Sequence, residues 1–359
     1  MGTRKTYHIT MNKNFYYALG RPFSPLYSTA MRLREYLYQR KFLKSTPFAV
    51  PVISVGNLTL GGTGKTPMVQ YLARLLQENG RRPAIISRGY GGATKERINI
   101  VSDGKEIFLN ADYVGDEPRM LAETLPGVPV LTGIVRKLPA AEAVKMGSDI
   151  LLLDDGFQHM AIRRELDIVL FNTDKLAGNS RVFPGGDLRE PINALKRCHA
   201  FVLTGTDEQN QERAENFKAV LNKKFPDKPV FFSRNHPTGL ILQKTNGEKI
   251  PVQQEELTGQ RCFAFCGIAR PEGFQQTLKK LNIDPIALRA LPDHFTYAAK
   301  TIRKLIAEAR QAGATCFLCT EKDLVKLCNI DLQLPLYGIA MEAQPDESLK
   351  QLILQHKSL

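Results

Sequence analysis

The sequence lacks any long apolar segment. No run of about 18 or more apolar residues occurs in its 359 residues, so we expect no helix that spans a membrane. The N-terminus has no apolar stretch followed by a small-residue cleavage site, so export is not expected. Hydrophobic residues make up 43% and charged residues 24% of the chain, as in ordinary globular proteins. These features predict a folded chain that is long enough for two domains.

Cysteines are few, and their spacing does not suit a metal site. Of the six cysteines, Cys316 and Cys319 form a CxxC pair. They lie in an apolar run that predicts a strand, where an odd separation places side chains on opposite faces. Cys262 and Cys266 would share a face but lie about four strand rises apart, which is too far for one ion. We expect reduced thiols that pack as small apolar groups.

Acidic residues are almost absent from the first 47 residues. This segment has nine basic residues and one acid, Glu35, so it carries +8 of the net charge of +13. Such a charge favours an anionic partner, either nucleic acid or a lipid surface. Residues 26–42 have the spacing of an amphipathic helix, with one face formed by Leu26, Ala30, Leu33 and Leu37. This face suits a membrane interface, but it is no wider than a helix needs to pack on its own domain.

From residue 48 onward, apolar strands alternate with helices. Strand-like runs lie at 50–55, 83–87, 128–131, 150–153, 167–171 and 200–203, and helical segments at 66–78 and 118–124. This alternation predicts an α/β fold with a mostly parallel sheet and helices on both faces. A hairpin signal at Asn246-Gly247 precedes a second set of apolar runs. We therefore predict a basic N-terminal segment (1–47), a core domain (48–236), a hairpin linker (237–256) and a smaller C-terminal α/β domain (257–359).

A glycine-rich turn joins the first predicted strand to the first predicted helix. It reads Gly56-Asn57-Leu58-Thr59-Leu60-Gly61-Gly62-Thr63-Gly64-Lys65-Thr66-Pro67. Glycines leave backbone N–H groups unobstructed, and the helix N-terminus adds a positive dipole, so the turn predicts a phosphate-binding P-loop. Lys65 is expected to reach the β- and γ-phosphates, and the Thr66 hydroxyl to ligate Mg²⁺. The predicted nucleotide contacts are Thr59, Gly61, Gly62, Thr63, Gly64, Lys65 and Thr66. Thr59 stands where the usual motif has glycine, so the loop is a variant.

Two adjacent carboxylates end the strand predicted at 150–153. A strand that delivers a carboxylate beside the phosphates is the Walker B arrangement, and it predicts that Asp154 and Asp155 bind Mg²⁺. Two acids at a strand end are also common in ordinary turns, but the preceding P-loop favours the metal site. ATP and Mg²⁺ are therefore the predicted ligands.

Seven short segments, taken in order, resemble the tetraacyldisaccharide 4'-kinase family. They are the variant P-loop, Ser87-Arg88-Gly89-Tyr90-Gly91, Gly115-Asp116-Glu117-Pro118, Asp154-Asp155-Gly156-Phe157-Gln158-His159, Leu188-Arg189-Glu190-Pro191, Pro292-Asp293-His294 and Thr320-Glu321-Lys322-Asp323. The resemblance runs from about residue 20 to 325. One run, Pro184-Gly185-Gly186-Asp187, departs from the Pro-Ala-Gly-Pro expected there.

The resemblance implies transfer of the γ-phosphate of ATP to the 4'-hydroxyl of tetraacyldisaccharide 1-phosphate in lipid A biosynthesis. It implies that Asp116 acts as base, assisted by His294, although from the residues alone Asp116 would be a helix cap. Lys65 and Mg²⁺ would neutralise the phosphates. The remaining implied contacts are Arg189 and Glu190 near the nucleotide, and Tyr90, Gln158 and His159 near the substrate.

A tetraacylated substrate also implies where the enzyme works. Its acyl chains stay in the bilayer, so the resemblance implies a peripheral enzyme at the cytoplasmic face of the bacterial inner membrane. The expected partners are the lipid substrate and an anionic membrane surface near residues 15–42, with no nucleic acid. Two alternatives remain: a soluble P-loop kinase of a small metabolite, and a deviant-Walker ATPase that positions partners or binds DNA.

Overall fold

The computed structural model describes residues 13–94, 96–293, 295–328, 330–356 and 359. Their α-helices are α1 (Lys13–Gly20), α2 (Ser24–Gln39), α3 (Lys65–Glu78), α4 (Ala111–Val114), α5 (Asp116–Thr124), α6 (Lys137–Lys145), α7 (Gln211–Lys224), α8 (Pro271–Lys280), α9 (Ala299–Ala312), α10 (Glu321–Lys326) and α11 (Glu347–Gln355). Within these described ranges, no helix combines the length and apolar character needed to cross a membrane.

The strands belong to a single large sheet. They are β1 (Val52–Asn57), β2 (Pro83–Ser87), β3 (Asn99–Ser102), β4 (Val130–Thr132), β5 (Ile150–Asp154), β6 (Leu166–Asn172), β7 (Ala200–Thr204), β8 (Val230–Gln243), β9 (Lys249–Val252), β10 (Cys262–Cys266), β11 (Ala287–Ala290), β12 (Cys316–Thr320) and β13 (Leu336–Pro345). Their order is β11-β10-β12-β13-β8-β7-β6-β1-β5-β2-β4-β3, with β9 paired to β8. Most pairs are parallel, so the predicted α/β class is confirmed.

One long strand joins the two halves of the sheet. The first residues of β8 pair parallel with β7, and from Ser233 onward β8 pairs antiparallel with β13. Its end forms the hairpin with β9 that Asn246-Gly247 predicts. The carboxyl ends of β1 and β5 therefore lie in the same sheet as β10 and β12 from the C-terminal part.

Helices bury both faces of the central strands, which is why these strands are continuously apolar. Ile53 and Leu152 belong to the core cluster that includes Leu72 of α3 on one face. Val52 and Leu151 pack with alanines of α6 on the other face. Every residue of β1 and β5 is buried, so the loops at their carboxyl ends extend from a rigid platform.

The cysteines are free thiols, and all but the partly buried Cys328 are fully buried. Cys316 and Cys319 lie in β12, as the apolar run predicts. The structure adds a contact that spacing did not predict: Cys262 and Cys316 are in register on β10 and β12, with Sγ atoms 3.3 Å apart. These thiols contribute to packing between neighbouring strands.

Helix α2 contacts the rest of the chain through polar side chains. The Ser24 hydroxyl donates to the Val182 carbonyl at 2.8 Å, and the Tyr27 hydroxyl donates to the Arg189 carbonyl at 3.1 Å. Arg34 donates to the Gln158 carbonyl at 3.0 Å. The helix begins at Ser24 and ends at Gln39, so it starts two residues before and ends three residues before the predicted 26–42, and Lys41 beyond it has a φ of +61°. The side of α2 that contacts the rest of the chain thus carries polar groups, although no residue of α2 is fully buried.

The apolar side chains of the N-terminal helices face outward. We define the outer apolar face as Phe15, Leu19, Phe23, Leu26 and Leu33, whose exposed fractions lie between 55% and 73%. Exposed large apolar groups are ordinary when scattered, but five in one short segment favour a surface that binds a partner or a membrane. Of the predicted stripe, Leu26 and Leu33 are exposed, whereas Leu37 is half-buried, so both interpretations of this helix stay predictions.

Candidate active site

The turn between β1 and α3 has the backbone of a phosphate cradle. Gly61 and Gly64 have φ values of +105° and +76°, which glycine adopts at little cost. Helix α3 begins directly after Gly64, and no side chain caps its N-terminus, so its first N–H groups remain available for an anion. A Cβ on Gly62 would meet no atom within 4 Å. The turn therefore has both the donors and the space that a phosphate needs.

Neighbouring residues hold this turn from behind. The Asn57 side-chain amide donates to the Thr59 carbonyl at 2.8 Å, and the Thr204 hydroxyl donates to the Thr63 carbonyl at 2.8 Å. Thr59 is buried and bridges to Leu188. Thr59 thus supports the back of the loop and does not line the cavity in front of it.

A cavity of about 760 Å³ opens in front of the P-loop. Its first wall consists of the P-loop residues 61–66, the acidic pair at 154–155, Arg189 and Tyr90. Its second wall comes from the C-terminal part and includes residues 268–270, Phe274, Glu321 and Lys322. The structure therefore brings most of the predicted nucleotide and metal residues together, at an opening between the two halves of the sheet.

Asp154 ends β5 beside Val55 of β1 and is fully buried. The Ser87 hydroxyl donates to its Oδ2 at 3.3 Å, while its buried Oδ1 has no hydrogen-bond partner. Burial, together with the charge of Glu117, raises the pKa of Asp154 to about 7. A buried carboxylate oxygen without a partner favours a cation. Asp154 and the Thr66 hydroxyl supply the oxygen ligands that Mg²⁺ prefers, so these residues fit the predicted metal.

Asp155 has a different environment from Asp154. Arg189 Nη1 lies 2.9 and 2.8 Å from its two carboxylate oxygens, and Lys65 Nζ lies 3.6 Å from Oδ1. Burial alone would raise the pKa of Asp155, but Lys65 and Arg189 outweigh it and hold the pKa below its usual value. Asp155 is thus an ionised carboxylate that holds the side chains of Lys65 and Arg189 beside the P-loop. It can therefore act by positioning these two cations for the phosphates, besides the predicted binding of Mg²⁺.

Arg136 lines the cavity but was not predicted from the sequence. Its buried guanidinium donates to the carbonyls of Asp154 and Asp155 at 2.8 and 2.9 Å. The second carbonyl belongs to a residue with a φ of +51°, so Arg136 stabilises an unusual backbone at the acidic pair. No local motif marks this arginine. Within the described residues, no three His, Cys, Asp or Glu side chains form a ready metal cluster.

Asp116 is the first residue of α5, but Gly115 occupies the N-cap position and no side chain caps the helix, so the interpretation of Asp116 as a helix cap is wrong. Its Oδ2 lies 2.9 Å from Nζ of Lys326, which comes from α10 in the C-terminal part. Asp116 itself does not line the cavity, but the next residue, Glu117, does. His294, its predicted assistant, lies outside the described residues. The proposed base is therefore at the edge of the cavity, where α5 meets α10.

The other predicted contacts divide into those that reach the cavity and those that do not. Arg189 and the exposed Tyr90 line it. Glu190 is buried elsewhere and contacts Arg197 at 2.5 Å. Gln158 donates to the Asn57 carbonyl at 2.9 Å, behind the P-loop. His159 does not line the cavity either; burial and the nearby Arg136 lower its pKa to about 4, so this imidazole is neutral at about pH 7.

Comparison with known proteins decides the family. A family model described as tetraacyldisaccharide-1-P 4'-kinase matches residues 16–358. A tetraacyldisaccharide 4'-kinase of Desulfotalea psychrophila is 43% identical over 347 residues, which cover 96% of this chain and 97% of that protein. The chain belongs to the tetraacyldisaccharide 4'-kinase family. The resemblance carried by the seven segments is thereby confirmed. Neither the kinase of a small metabolite nor the deviant-Walker ATPase is favoured.

Further relatives agree with this assignment. A tetraacyldisaccharide 4'-kinase of Syntrophus aciditrophicus is 40% identical over 346 residues, covering 93% of this chain and 91% of that protein. The solved LpxK of Aquifex aeolicus, described as an apo form in complex with ATP, superposes with a TM-score of 0.76 at 32% identity. The match covers 94% of this chain and 98% of that one. The α/β P-loop architecture is therefore shared along almost the whole chain.

Proposed function

We propose that this chain transfers the γ-phosphoryl group of ATP to the 4'-hydroxyl of tetraacyldisaccharide 1-phosphate, a step of lipid A biosynthesis. The observation that carries the proposal is one cavity, lined by the variant P-loop and the acidic pair, in a member of the tetraacyldisaccharide 4'-kinase family. The enzyme is thus an ATP-dependent phosphotransferase with an alcohol acceptor.

The P-loop side of the cavity positions the triphosphate. The N–H groups of residues 61–66 and the N-terminus of α3 bind phosphate oxygens. Thr66 and Asp154 would hold Mg²⁺, which when bound neutralises charge on the phosphates. Lys65 and Arg189 are kept in place by Asp155, so two cations stay close to the P-loop before any ligand arrives. Preorganised charge of this kind is the main source of catalysis in phosphoryl transfer.

The α5 side of the cavity activates the acceptor. Asp116 accepts the proton of the 4'-hydroxyl as the oxygen attacks the γ-phosphorus, with His294 as its assistant. Tyr90 lines the cavity and contacts the acceptor or its phosphate. Gln158 acts from behind the P-loop, because its side chain donates to the Asn57 carbonyl. Glu190 holds Arg197, and neither Glu190 nor His159 lines the cavity.

The outer apolar face carries the enzyme to its lipid. It lies in the N-terminal segment, which is strongly basic, and apolar and basic groups together bind an anionic bilayer surface. This supports a peripheral enzyme at the cytoplasmic face of the bacterial inner membrane. The residues 48–236 and 257–359 act as two domains joined by the hairpin at 237–256, with the acceptor between them.

A phosphotransfer assay tests the proposal. It contains ATP, Mg²⁺ and tetraacyldisaccharide 1-phosphate in detergent, and compares the wild type with Lys65→Ala and Asp116→Ala. Both variants should lose most turnover: Lys65→Ala through misplaced phosphates and Asp116→Ala through an unactivated hydroxyl. An unchanged rate in Asp116→Ala would remove the assignment of the base, and absence of a phosphorylated product in the wild type would remove the function.

A further inference from the structure

Helix α10 brings a lysine to the proposed base. Lys326 Nζ lies 2.9 Å from Asp116 Oδ2, and the exposed fractions of the two side chains are only 8% and 15%. The same Nζ donates to the Phe295 carbonyl at 3.2 Å. A charge-assisted hydrogen bond with little water nearby is strong and directional. The carboxylate of Asp116 is therefore oriented by a residue from the other half of the sheet.

Helix α10 is itself held rigidly. Asp323, which is fully buried, accepts hydrogen bonds from the Tyr297 hydroxyl at 2.8 Å and the Gly267 N–H at 3.0 Å. It also accepts from the Thr320 hydroxyl at 2.6 Å, and Thr320 caps the helix. Asp323 thus fastens α10 to Tyr297 and to Gly267, which directly follows β10. The proposed chemistry does not otherwise use the segment Thr320-Glu321-Lys322-Asp323.

The contact between α10 and α5 is broader than one ion pair. Val325 packs with Ala111 and Met120 in a small apolar cluster. Lys322 Nζ lies 3.7 Å from Glu117 Oε1 and 3.4 Å from Asp293 Oδ1. Lys322 and Lys326 of α10 thus face the adjacent acids Glu117 and Asp116 of α5. The two helices therefore carry opposite charges where they meet at the edge of the cavity.

The geometry points to Lys326 as a positioning residue for the phosphoryl transfer. It holds the Asp116 carboxylate so that one oxygen can take the 4'-hydroxyl proton, and it can do so only when α10 and α5 are in contact. In the transfer, the acceptor O–H bond breaks and its proton goes to Asp116. The bond from O4' to the γ-phosphorus forms, and the bond from that phosphorus to the bridging oxygen breaks to release ADP. Lys326 keeps its protons throughout. The inference rests on the proposed role of Asp116.

The test measures turnover of Lys326→Met and Lys326→Arg with ATP, Mg²⁺ and the lipid substrate in detergent. The matched control is Lys304→Met, because Lys304 is an exposed lysine of α9 in the same part of the chain. Lys326→Met should lower kcat by up to about 100-fold, the loss that a misplacement of a reacting group by about 1 Å can cause. The KM for ATP should change by less than about twofold. Lys326→Arg should restore part of the rate, because it keeps the charge and the donors.

A double variant separates positioning from general damage to the fold. In an Asp116→Asn background, Lys326→Met should cause no further loss, because no base remains to be oriented. An equal loss in both backgrounds would overturn the inference, and so would a wild-type kcat in Lys326→Met when Asp116→Ala is inactive. Full activity of Asp116→Ala would overturn the base assignment and the inference together, so the two failures are distinguishable.

Discussion

Replacing three residues of the outer apolar face should detach the enzyme from membranes without unfolding it. The perturbation is the triple variant Phe23→Ser, Leu26→Ser and Leu33→Ser, whose side chains are 61%, 73% and 55% exposed. Fully burying one such side chain is worth about 1.5–3 kcal/mol. Inserting the exposed portions of all three into a bilayer is therefore worth about 3–5 kcal/mol. That corresponds to a loss of about a hundred- to several thousandfold in partitioning.

The assay is co-sedimentation with vesicles that contain anionic phospholipid, combined with turnover on two forms of the substrate. Turnover on vesicle-borne substrate should fall with binding, while kcat on detergent-dispersed substrate should stay near the wild-type value. The matched control replaces Val220, Ile286 and Leu354 by serine, since these are exposed apolar residues outside the N-terminal helices.

The stability of the triple variant decides between the two interpretations of α2. Exposed side chains contribute little to folding, so each substitution should change the free energy of unfolding by no more than about 0.5 kcal/mol. Wild-type vesicle binding by the triple variant would refute the reasoning. A drop in melting temperature of the size seen for core substitutions would refute it as well.

Two further predictions concern the cavity. Gly62→Ala should leave the melting temperature unchanged, because the added Cβ meets no atom within 4 Å, yet it should weaken ATP binding as measured by calorimetry. Gly64→Ala should in addition lower the free energy of unfolding by about 1 kcal/mol, because the φ of Gly64 is +76°. Unaltered ATP affinity in Gly62→Ala would contradict the assigned cradle. Burial raises the pKa of Glu321 from 4.5 to about 7, so the folded state binds the carboxyl proton of Glu321 more tightly than the unfolded state does. The free energy of unfolding therefore falls as the pH rises from about 4.5 to about 7. Urea unfolding should therefore show Glu321→Gln to be about 1–3 kcal/mol more stable than the wild type at about pH 8 and little different at about pH 4. Equal differences at both pH values would contradict the raised pKa of Glu321 as the cause.

Local signals predicted the phosphate side of the site. The P-loop, its strand and its helix are contiguous in the sequence, so glycine freedom and apolar periodicity are sufficient to identify them. Strand β2 has the predicted bounds, 83–87, because a short apolar run with clear ends defines it. Helix α7 was not predicted, since it buries only Ala214 and Leu221 and therefore has weak periodicity.

Tertiary contacts account for what the sequence did not reveal. Arg136 and Lys326 reach the acidic pair and Asp116 from distant parts of the chain, and no spacing rule connects them. Periodicity also could not say which side of α2 is buried. Polar residues make hydrogen bonds to the rest of the chain in this protein, while Leu26 and Leu33 stay exposed, which differs from the usual rule for a helix on a globular core.

The most direct test of the central claim is to locate the phosphate that the purified chain transfers. With ATP, Mg²⁺ and tetraacyldisaccharide 1-phosphate, proton–phosphorus correlation NMR of the product should show a new phosphate coupled to the proton at position 4', and Lys65→Ala should form almost none. Release of the γ-phosphate only as inorganic phosphate, or its attachment to a different hydroxyl, would contradict the account.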